Sequence, residues 1–338
     1  MEVSSLLLSP GAQRRSVRRQ AEIRRFIRLI LGWNNHKVNN VIESSIILGG
    51  RMGSLDGKVA IVTGTSRGVG VGIARELLLA GATVVGCSRS ELPGLPDADT
   101  VPGGVDRSQQ WVCDQADHKA IDVFVQRVID RYGRLDILVN NAGGTVPTPH
   151  VEAVPELVQK IQGTPRSEDE FERTILFHAF AVQMNLISPL WFAIRAYRQM
   201  REQNGTGSII NISSGAGHPA GSPTLVSYGA AKSGLNHLTR SLAEEWGPKA
   251  RVNCLALGPT MTENFRSFVL PPDDQTGSEY FERVPLGRAG EPSEVGRACV
   301  FLCSGEADYI NGTTIEIDGG MLPGVLYEAG LKTITDLL

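Results

Sequence analysis

The chain has 338 residues, of which 41% are hydrophobic and 20% charged, and its formal net charge is −3 at pH 7. That composition is typical of a globular protein with room for one large α/β domain or two small ones. The lack of any run of about 18 apolar residues argues against a membrane-spanning helix. Residues 1–51 carry nine Lys or Arg and three Glu, a charge of +6, which leaves −9 for residues 52–338. An acidic main domain argues against nucleic-acid binding.

Residues 1–51 differ in character from the rest of the chain. Apolar residues recur there at helical spacing between arginines, at Ile23, Phe26, Ile27 and Ile30. A basic, acid-poor amphipathic helix is typical of a mitochondrial presequence, and also of a helix that lies on a membrane surface. A third interpretation is that the extension is absent from the mature protein, because Met52 stands shortly before the first predicted strand. We therefore predict a cytoplasmic protein, or a mitochondrial one if residues 1–51 are translated and act as a presequence.

From Lys58 onward, short apolar segments rich in β-branched residues alternate with helical patterns. Strands are predicted at Val59–Val62, Thr83–Cys87, Trp111–Cys113, Leu135–Val139, Ser208–Ile212, Arg251–Ala256 and Thr313–Ile317. Helices are predicted at Gly68–Ala80, Ile121–Tyr132, Ser227–Trp246 and Val295–Cys303. Continuously apolar strands that alternate with helices indicate a parallel sheet covered on both faces. We predict one doubly wound α/β domain over residues 52–325, followed by a C-terminal tail at 326–338.

The first predicted strand runs directly into a glycine-rich loop, Thr63-Gly64-Thr65-Ser66-Arg67-Gly68-Val69-Gly70. Gly64 permits a sharp turn, Gly68 lets the backbone approach a pyrophosphate, and Gly70 allows close packing of helix on strand. The following helix would offer N–H groups and the positive end of its dipole to the phosphates. A glycine-rich turn alone is weak evidence, because such turns also occur without a ligand. Its position between a strand and a helix is what predicts a dinucleotide site.

Further motifs follow in order down the chain. They are Asn140-Asn141-Ala142-Gly143 after the fourth strand, Asn185, Ser213-Ser214 at the end of the fifth strand, Tyr228 with Lys232, Gly258-Pro259 with Thr262, and Asp318-Gly319-Gly320. With the TGxxxGxG spacing of the glycine loop, this ordered set resembles the short-chain dehydrogenase/reductase family, and in particular its 3-oxoacyl reductase-like members. The resemblance covers nearly everything from Met52 to Gly320.

The resemblance implies a Rossmann fold that binds a nicotinamide dinucleotide and interconverts a carbonyl and a secondary alcohol. It implies that the cofactor is bound by Gly64, Ser66, Arg67, Gly68, Val69, Gly70, Asp114, Asn141, Ala142, Gly143, Tyr228, Lys232, Gly258, Pro259 and Thr262, with Asp114 at the adenine. It also implies a homodimer or homotetramer, in which long helices such as 227–246 pack between subunits.

The end of the second predicted strand, Gly86-Cys87-Ser88-Arg89, bears on the choice of cofactor. A carboxylate at this point would accept hydrogen bonds from the ribose 2′-hydroxyl and favour NAD(H), and the segment contains none. Arg89, and Arg67 from the glycine loop, are instead placed to bind a 2′-phosphate, which guanidinium groups can bind bidentately. The alternative is that both are solvated surface arginines. We predict NADP(H), with NAD(H) less favoured.

Hydride transfer to a carbonyl requires a proton donor at the oxygen, and Tyr228 is the candidate. Lys232 lies one helical turn further on the same face, where its charge, with that of oxidised nicotinamide, is expected to lower the tyrosine pKa. Ser214 could hydrogen-bond the substrate oxygen, with Ser213 as the alternative if the register differs by one residue. By resemblance, Asn185 would hold a water molecule that connects Lys232 to solvent.

Two segments are candidates for substrate specificity. Residues 145–181 form an insertion relative to short family members, with an amphipathic piece at Val154–Ile161 and a helical lead-in at Glu168–Phe180. Residues 265–283 resemble the family's mobile substrate loop. Their apolar side chains suggest an apolar or ring-bearing substrate, unless they simply pack on the core.

Neither a metal site nor a nucleophilic cysteine is predicted, because the five cysteines form no CxxC and the six histidines show no ligand spacing. The sequence therefore predicts an NADP(H)-dependent oxidoreductase that acts on a small-molecule carbonyl or alcohol. A 3-oxoacyl thioester and a steroid- or polyketide-type ketone are the leading substrates. The rival is a catalytically silent NADP(H)-binding or scaffold protein of the same fold, against which the intact Ser214, Tyr228 and Lys232 argue.

Overall fold

The computed structural model describes residues 54–145, 167–219, 223–270, 277–282 and 284–321. The chain divides into two units, Met1–Met52 and Gly53–Leu338, and all the described residues belong to the second. The predictions for the basic extension, for the amphipathic piece at Val154–Ile161 and for the tail at 326–338 concern residues outside this description.

Seven strands form one sheet in the described part of the chain. They are β1 (Val59–Thr63), β2 (Thr83–Ser88), β3 (Ser108–Val112), β4 (Ile137–Asn140), β5 (Gly207–Ser214), β6 (Ala250–Leu257) and β7 (Thr314–Ile317). All neighbours are parallel, in the order β3-β2-β1-β4-β5-β6-β7. The chain starts in the middle of the sheet and winds outward in both directions from β1 and β4. The carboxyl ends of these two strands are therefore the place where a sheet of this type binds its ligand.

The described helices cover the sheet. They are α1 (Val69–Leu79), α2 (His118–Tyr132), α3 (Glu170–Val182), α4 (Ser188–Glu202), α5 (Val226–Trp246), α6 (Glu263–Val269), α7 (Ser278–Phe281) and α8 (Pro292–Cys303), and a π-turn at Gln183–Ile187 joins α3 to α4. The sequence patterns predicted α1, α2, α5 and α8 within a few residues. They missed α4, because it continues from the π-turn and no side-chain cap marks its start.

Two further sequence predictions are corrected by the structure. The third strand begins at Ser108 and ends at Val112, whereas the apolar pattern placed it at 111–113. Its polar residues Gln109 and Gln110 pair in parallel register with β2, so strand pairing and not hydropathy sets its start. The predicted substrate loop contains two short helices, α6 and α7.

Side chains of β1 alternate between the two faces of the sheet. Ala60 and Val62 pack with residues of α1 and α8 on one face, while Val59 and Ile61 pack with residues of α2, α4 and α5 on the other. Both faces of the strand are buried, which is why its sequence is continuously apolar and does not alternate. The predicted doubly wound parallel sheet with helices on both faces is confirmed.

The continuous helical segment Glu170–Glu202 qualifies the prediction that no helix could span a membrane. Its 33 residues include a window with a mean hydropathy of 1.4, which is long and apolar enough to cross one by composition. Phe177, Phe192 and Met200 of this segment are nevertheless buried within the domain. Because a core helix packed on a sheet meets the same criterion, the segment is weak support for a membrane span.

Candidate active site

A cavity of about 520 Å³ lies at the carboxyl ends of the strands, where the sheet order predicts a ligand site. Most of the predicted site residues line it, namely Gly64, Ser66, Arg67, Gly68, Val69, Gly70, Arg89, Asn141, Ala142, Gly143, Ser214, Tyr228, Lys232, Gly258, Pro259 and Thr262. Two of the predicted residues, Asp114 and Asn185, are not among the residues that line the cavity. The fold thus brings together motifs that are spread over most of the domain.

The ends of β1 and β4 are joined by a pair of reciprocal hydrogen bonds. The Thr63 hydroxyl accepts from the backbone N–H groups of Asn141 (3.0 Å) and Ala142 (2.9 Å). In return, the Asn141 side-chain amide donates to the carbonyl oxygens of Thr63 (2.8 Å) and Gly64 (3.2 Å). These bonds satisfy backbone groups that would otherwise be buried without partners, and they fix the glycine loop against the end of β4.

Two glycines of the loop leave no room for a side chain. Gly64 has φ of +73°, a conformation that residues with a Cβ rarely adopt. A Cβ on Gly70 would lie 2.2 Å from the carbonyl oxygen of Gly64 and 2.6 Å from the Asn141 amide nitrogen. The helix therefore starts directly against the turn, in the arrangement that the glycine spacing predicts.

No side chain caps the N-terminus of α1. Gly68 precedes this helix, and its first turn contains no acidic residue. By contrast, Asp117 caps α2 through the N–H of Lys119, and Thr262 caps α6 through the N–H of Phe265. Backbone N–H groups without a side-chain partner, at the positive end of a helix dipole, suit an anion. The residues present therefore fit the pyrophosphate of a dinucleotide.

A chain of polar side chains links the ends of β1, β2 and β3 next to the predicted 2′-phosphate position. The Thr65 hydroxyl donates to the side-chain oxygen of Gln110 at 2.6 Å, and the Gln110 amide donates to the Ser88 hydroxyl at 3.0 Å. Ser88 donates in turn to the carbonyl oxygen of Ser90 at 2.8 Å. These bonds order the turn that carries Arg89, whose side chain is exposed and lines the cavity. No sequence motif had marked Thr65 or Gln110.

Asp114 lies outside the cavity lining, although the resemblance places it at the adenine. Its carboxylate is exposed and accepts a hydrogen bond from the N–H of Ala116 at 3.0 Å. The neighbours Cys113 and Gln115 line the cavity instead, because successive residues of an extended segment point to opposite sides. Gln115 is buried, and its amide nitrogen lies 3.8 Å from the Met184 sulfur. Contact between Asp114 and adenine stays a prediction.

Tyr228 lies in the first turn of α5, half-buried and facing the cavity. It shares a hydrogen bond with Ser214 at the end of β5. Burial raises the pKa of Tyr228 above its ordinary value, and the hydrogen bond to Ser214 lowers it by a smaller amount. The structure does not reproduce the predicted lowering of this pKa by Lys232, because burial is the larger effect and the lysine amine is itself desolvated.

Lys232 is 4% exposed, and its Nζ donates to the carbonyl oxygen of Ile212 at 2.8 Å. The same nitrogen lies 5.6 Å from the centroid of the Tyr228 ring. Burial disfavours the charged ammonium and lowers the pKa of Lys232 to about 8. An amine with this pKa can take up and release a proton near neutral pH, and its three donor positions allow partners besides Ile212.

Ser213 and Ser214 point to opposite sides of β5. The Ser213 hydroxyl is buried and donates to the carbonyl oxygen of Lys232 at 3.3 Å, so it fastens α5 to the strand. The Ser214 hydroxyl accepts from the N–H of Ala216 at 3.2 Å and shares its hydrogen bond with Tyr228. Of the two serines that the sequence left open, Ser214 is the one beside the tyrosine.

Asn185 is fully buried in the π-turn between α3 and α4. Its side-chain oxygen accepts from the N–H of Gly144 at 2.9 Å, and its amide donates to the carbonyl oxygens of Gly144 (3.0 Å) and Ala181 (2.9 Å). A Cβ on Gly143 would lie 2.5 Å from the Asn185 oxygen and 3.7 Å from Lys232 Nζ. Asn185 thus holds the loop after β4 close to Lys232, and its predicted part in a water relay stays a prediction.

One wall of the cavity, called here the apolar wall, is formed by Phe180 of α3, Leu225 before α5, Phe265 of α6 and Tyr280 of α7. The rings of Phe265 and Tyr280 meet edge to face at 5.5 Å, and both residues belong to a small apolar cluster with Leu270. The apolar residues of the predicted substrate loop therefore pack largely on one another. Phe180 belongs to the 145–181 segment that the sequence offered as a candidate for specificity, whereas no sequence pattern marks Leu225.

Two of the cysteines, Cys254 and Cys303, are poor nucleophiles. Burial raises the pKa of Cys254 to about 11 and that of Cys303 to about 11, so these thiols stay protonated at neutral pH. Across the described ranges, no three side chains of His, Cys, Asp or Glu come together in a way that could hold a metal ion.

Comparison with known proteins points to the same family as the site geometry. A short-chain dehydrogenase/reductase family model described as "Enoyl-(Acyl carrier protein) reductase" matches residues 64–322. The chain is 33% identical over 273 residues to 2-dehydro-3-deoxy-D-gluconate 5-dehydrogenase from Escherichia coli, which covers 80% of this chain and 97% of that protein. It is also 33% identical over 268 residues to 3-oxoacyl-[acyl-carrier-protein] reductase from Haemophilus influenzae, with 79% and 99% covered.

Solved structures are similar as well. The crystal structure of a putative short-chain alcohol dehydrogenase from Sinorhizobium meliloti superposes with a TM-score of 0.64 at 33% identity, covering 79% of this chain and 96% of that one. A putative gluconate dehydrogenase from Agrobacterium tumefaciens gives a TM-score of 0.63 at 27% identity, with 80% and 98% covered. The chain therefore belongs to the short-chain dehydrogenase/reductase family of oxidoreductases.

Proposed function

We propose that the protein is an NADP(H)-dependent oxidoreductase that interconverts a carbonyl and a secondary alcohol, with Tyr228 as the general acid and base. The observation that carries this proposal is the arrangement of one cavity. The hydrogen-bonded pair of Tyr228 and Ser214 and the buried amine of Lys232 face the same space as the uncapped N-terminus of α1. A proton donor and an anion-binding helix end are the two parts that hydride transfer from a dinucleotide requires.

The proposed chemistry uses three side chains. When bound, the nicotinamide supplies or accepts the hydride. In the direction of reduction, Tyr228 donates its phenolic proton to the substrate oxygen while Ser214 hydrogen-bonds the same oxygen, so that the developing alkoxide is neutralised. Lys232, whose pKa of about 8 lies near neutral pH, then returns a proton to the tyrosinate. In the direction of oxidation the tyrosinate removes the proton from the alcohol.

The choice of NADP(H) over NAD(H) is supported by the charges at the end of β2. The described cavity lining has Arg67 and Arg89 in this region and no carboxylate at positions 87–89. Arg89→Ala should raise the KM for NADPH by about tenfold to a hundredfold, because a charge-assisted bond contributes about 1.5–3 kcal/mol. The KM for NADH should change little, and Arg201→Ala on the exposed face of α4 is the matched control. Preference for NADH in the wild-type protein would contradict the assignment.

The reaction is tested by NADPH oxidation with a panel of substrates. The relatives' names suggest two classes of compound, a 2-dehydro-3-deoxy sugar acid and a 3-oxoacyl thioester, and the panel should also include simple ketones and an enoyl thioester. Turnover of a carbonyl compound that is lost in Tyr228→Phe would support the proposal. Tight NADPH binding with no turnover of any compound would instead favour the silent scaffold protein.

We also propose that the protein assembles as a homodimer or homotetramer. On α3, Phe171 is 74% exposed and Ile175, one turn further, is 52% exposed. Adjacent exposed apolar side chains on a helix are typical of an interaction surface. Light scattering coupled to size-exclusion chromatography would measure the mass, and a monomer at micromolar concentration would contradict this part of the proposal. Cytoplasmic or mitochondrial localisation stays a prediction.

A further inference from the structure

The apolar wall and the positions of the charged residues bear on the class of substrate, and the inference drawn from them rests on the proposed function. A substrate carbonyl that meets both Tyr228 and Ser214 must place one of its two substituents toward the remaining free surface of the cavity. The described lining residues besides those of the cofactor side include Phe180, Leu225, Phe265 and Tyr280, with the uncharged polar residues Thr145, Thr224 and Asn264. Thr224 is 6% exposed and carries no charge.

Positive charges that line the cavity lie elsewhere. Among the described lining residues, the cations are Arg67, Arg89 and Lys232. Arg89 follows β2 and Ser214 ends β5, so three strand spacings of about 4.8 Å, roughly 14 Å in all, separate these two positions. Arg67 belongs to the glycine loop after β1, on the cofactor side.

The third cation, Lys232, lies beside Tyr228 and is not part of the apolar wall. It is 4% exposed, and its Nζ donates to the carbonyl oxygen of Ile212 and lies 5.6 Å from the centroid of the Tyr228 ring. One acidic residue, Glu263 of α6, also lines the cavity and stands two residues before Phe265. A carboxylate on the substrate would thus lose its hydration against apolar side chains, and no cation among the described residues of the apolar wall would pair with it, which is strongly unfavourable.

We propose that the substrate is a neutral ketone, or the corresponding secondary alcohol, with an apolar or aromatic group next to the reacting carbon, and that small carboxylate-bearing sugars are excluded. Burial of that group against the apolar wall supplies binding free energy at about 25 cal/mol per Å² of apolar surface. The wall residues come from α3, the turn before α5, α6 and α7, so specificity depends on shape and charge at this end of the cavity.

The test compares two substrates that differ only in charge far from the reacting carbonyl. These are methyl 4-acetylbenzoate and 4-acetylbenzoate, with acetophenone as the unsubstituted reference, each assayed by NADPH oxidation with the full chain. We expect kcat/KM for the ester to exceed that for the free acid by about a hundredfold or more, because an unpaired carboxylate is costly to bury. Equal values, or a preference for the acid, would overturn the proposed substrate class.

A positive charge introduced on the apolar wall tests the same proposal by changing the protein and not the substrate. Leu225→Arg would place a guanidinium on the apolar wall and should raise the kcat/KM of the acid relative to the ester by about tenfold. Leu225→Met is the matched control and should leave the ratio unchanged, since its volume and polarity are similar. If Leu225→Arg does not fold, Phe180→Lys introduces the charge from α3. A ratio that does not respond in a variant that folds and binds NADPH would contradict the proposal.

The outcomes distinguish a wrong substrate class from a wrong reaction. If the acid reacts as well as the ester and both reactions are lost in Tyr228→Phe, the proposed function stands and the substrate class is wrong. If none of the three ketones is reduced but another carbonyl compound of the panel is, and Tyr228→Phe loses that reaction, the proposed function again stands and the substrate class is wrong. If NADPH binds and no compound of the panel is reduced, the proposed reaction is contradicted as well.

Discussion

The cofactor side and the substrate side of the cavity are built in different ways. On the cofactor side, the loops 63–70 and 141–144 are joined by hydrogen bonds from the N–H groups of Asn141 and Ala142 to the Thr63 hydroxyl. They also pack so closely that a Cβ added to Gly64 or Gly70 would collide with neighbouring atoms. On the substrate side, the apolar wall is held by contacts among side chains, such as the edge-to-face rings of Phe265 and Tyr280.

This difference matters because the two kinds of support tolerate change unequally. Where an added Cβ would lie 2–3 Å from neighbouring atoms, as at Gly64 and Gly70, only glycine is accepted without displacing those neighbours. A packed apolar side chain accepts another of similar volume at a cost below about 1.5 kcal/mol. Few substitutions are therefore tolerated in the cofactor site, whereas the apolar wall can change its shape at a small cost in stability.

The largest effect on activity is expected for Tyr228, where the cofactor side and the substrate side of the cavity meet. Tyr228→Phe keeps the ring but removes the proton donor, and should lower kcat by about 10²–10⁴-fold. NADPH affinity should change little, because the glycine loop and Arg89 are untouched. Steady-state NADPH oxidation and a fluorescence titration measure the two quantities separately. Retention of full activity would contradict the assigned role of the tyrosine.

On the cofactor side, Gly70→Ala should be the most damaging small change. Its Cβ would lie 2.2 Å from the carbonyl oxygen of Gly64, so the turn and α1 must separate. We expect NADPH affinity to fall by about a hundredfold and the free energy of unfolding to fall by about 1–3 kcal/mol. Gly94→Ala is the control, because a Cβ there meets no atom within 4 Å. If both variants bound NADPH equally well, the contrast between the two sides of the cavity would be lost.

Lys232 predicts a dependence of stability on pH. Its pKa is about 8 in the folded protein and 10.5 in the unfolded chain, so between these pH values the unfolded chain binds more protons. The free energy of unfolding should therefore rise from pH 8 to 10.5, by up to about 3 kcal/mol, as the penalty of the buried charge is removed. Below pH 8 the penalty is constant.

Lys232→Met is the comparison that isolates this contribution. Urea unfolding of both proteins at pH 7, 8, 9 and 10 should show that the stability advantage of the variant shrinks as pH rises. The difference between the two proteins removes the titration of groups that do not interact with Lys232; Cys254 is not one of them, because the charge of Lys232 lowers its pKa. A difference that stays constant over this range would show that the lysine is not desolvated.

The smallest effect is expected on the apolar wall. Phe265→Leu should lower the free energy of unfolding by less than about 1.5 kcal/mol and leave NADPH affinity unchanged, because Phe265 has no part in the glycine loop. The KM for an aryl ketone should change by a few-fold, while a small aliphatic ketone should be affected less. Thermal unfolding and kinetics with both ketones check this. Loss of NADPH binding would mean that the two sides are coupled.

Much of the cofactor side could be predicted from the sequence because its requirements are local. Gly64 and Gly70 are needed by one turn, and Lys232 lies one helical turn from Tyr228, so each pattern is contained in a few residues. The predictions were less complete where geometry depends on a neighbouring element. Asp114 was placed at the adenine by resemblance, whereas its neighbours Cys113 and Gln115 are the residues of that segment that line the cavity.

The sequence by itself determined the parallel α/β architecture, the phosphate loop and the pairing of Tyr228 with Lys232, because strand burial, helical period and glycine conformation act over short stretches of chain. Only the tertiary structure decided that Ser214 and not Ser213 meets the tyrosine, and that Asn185 clamps the loop after β4. It alone assembled the apolar wall, whose four residues come from four helical segments. Such contacts join residues far apart in the chain, and no local pattern encodes them.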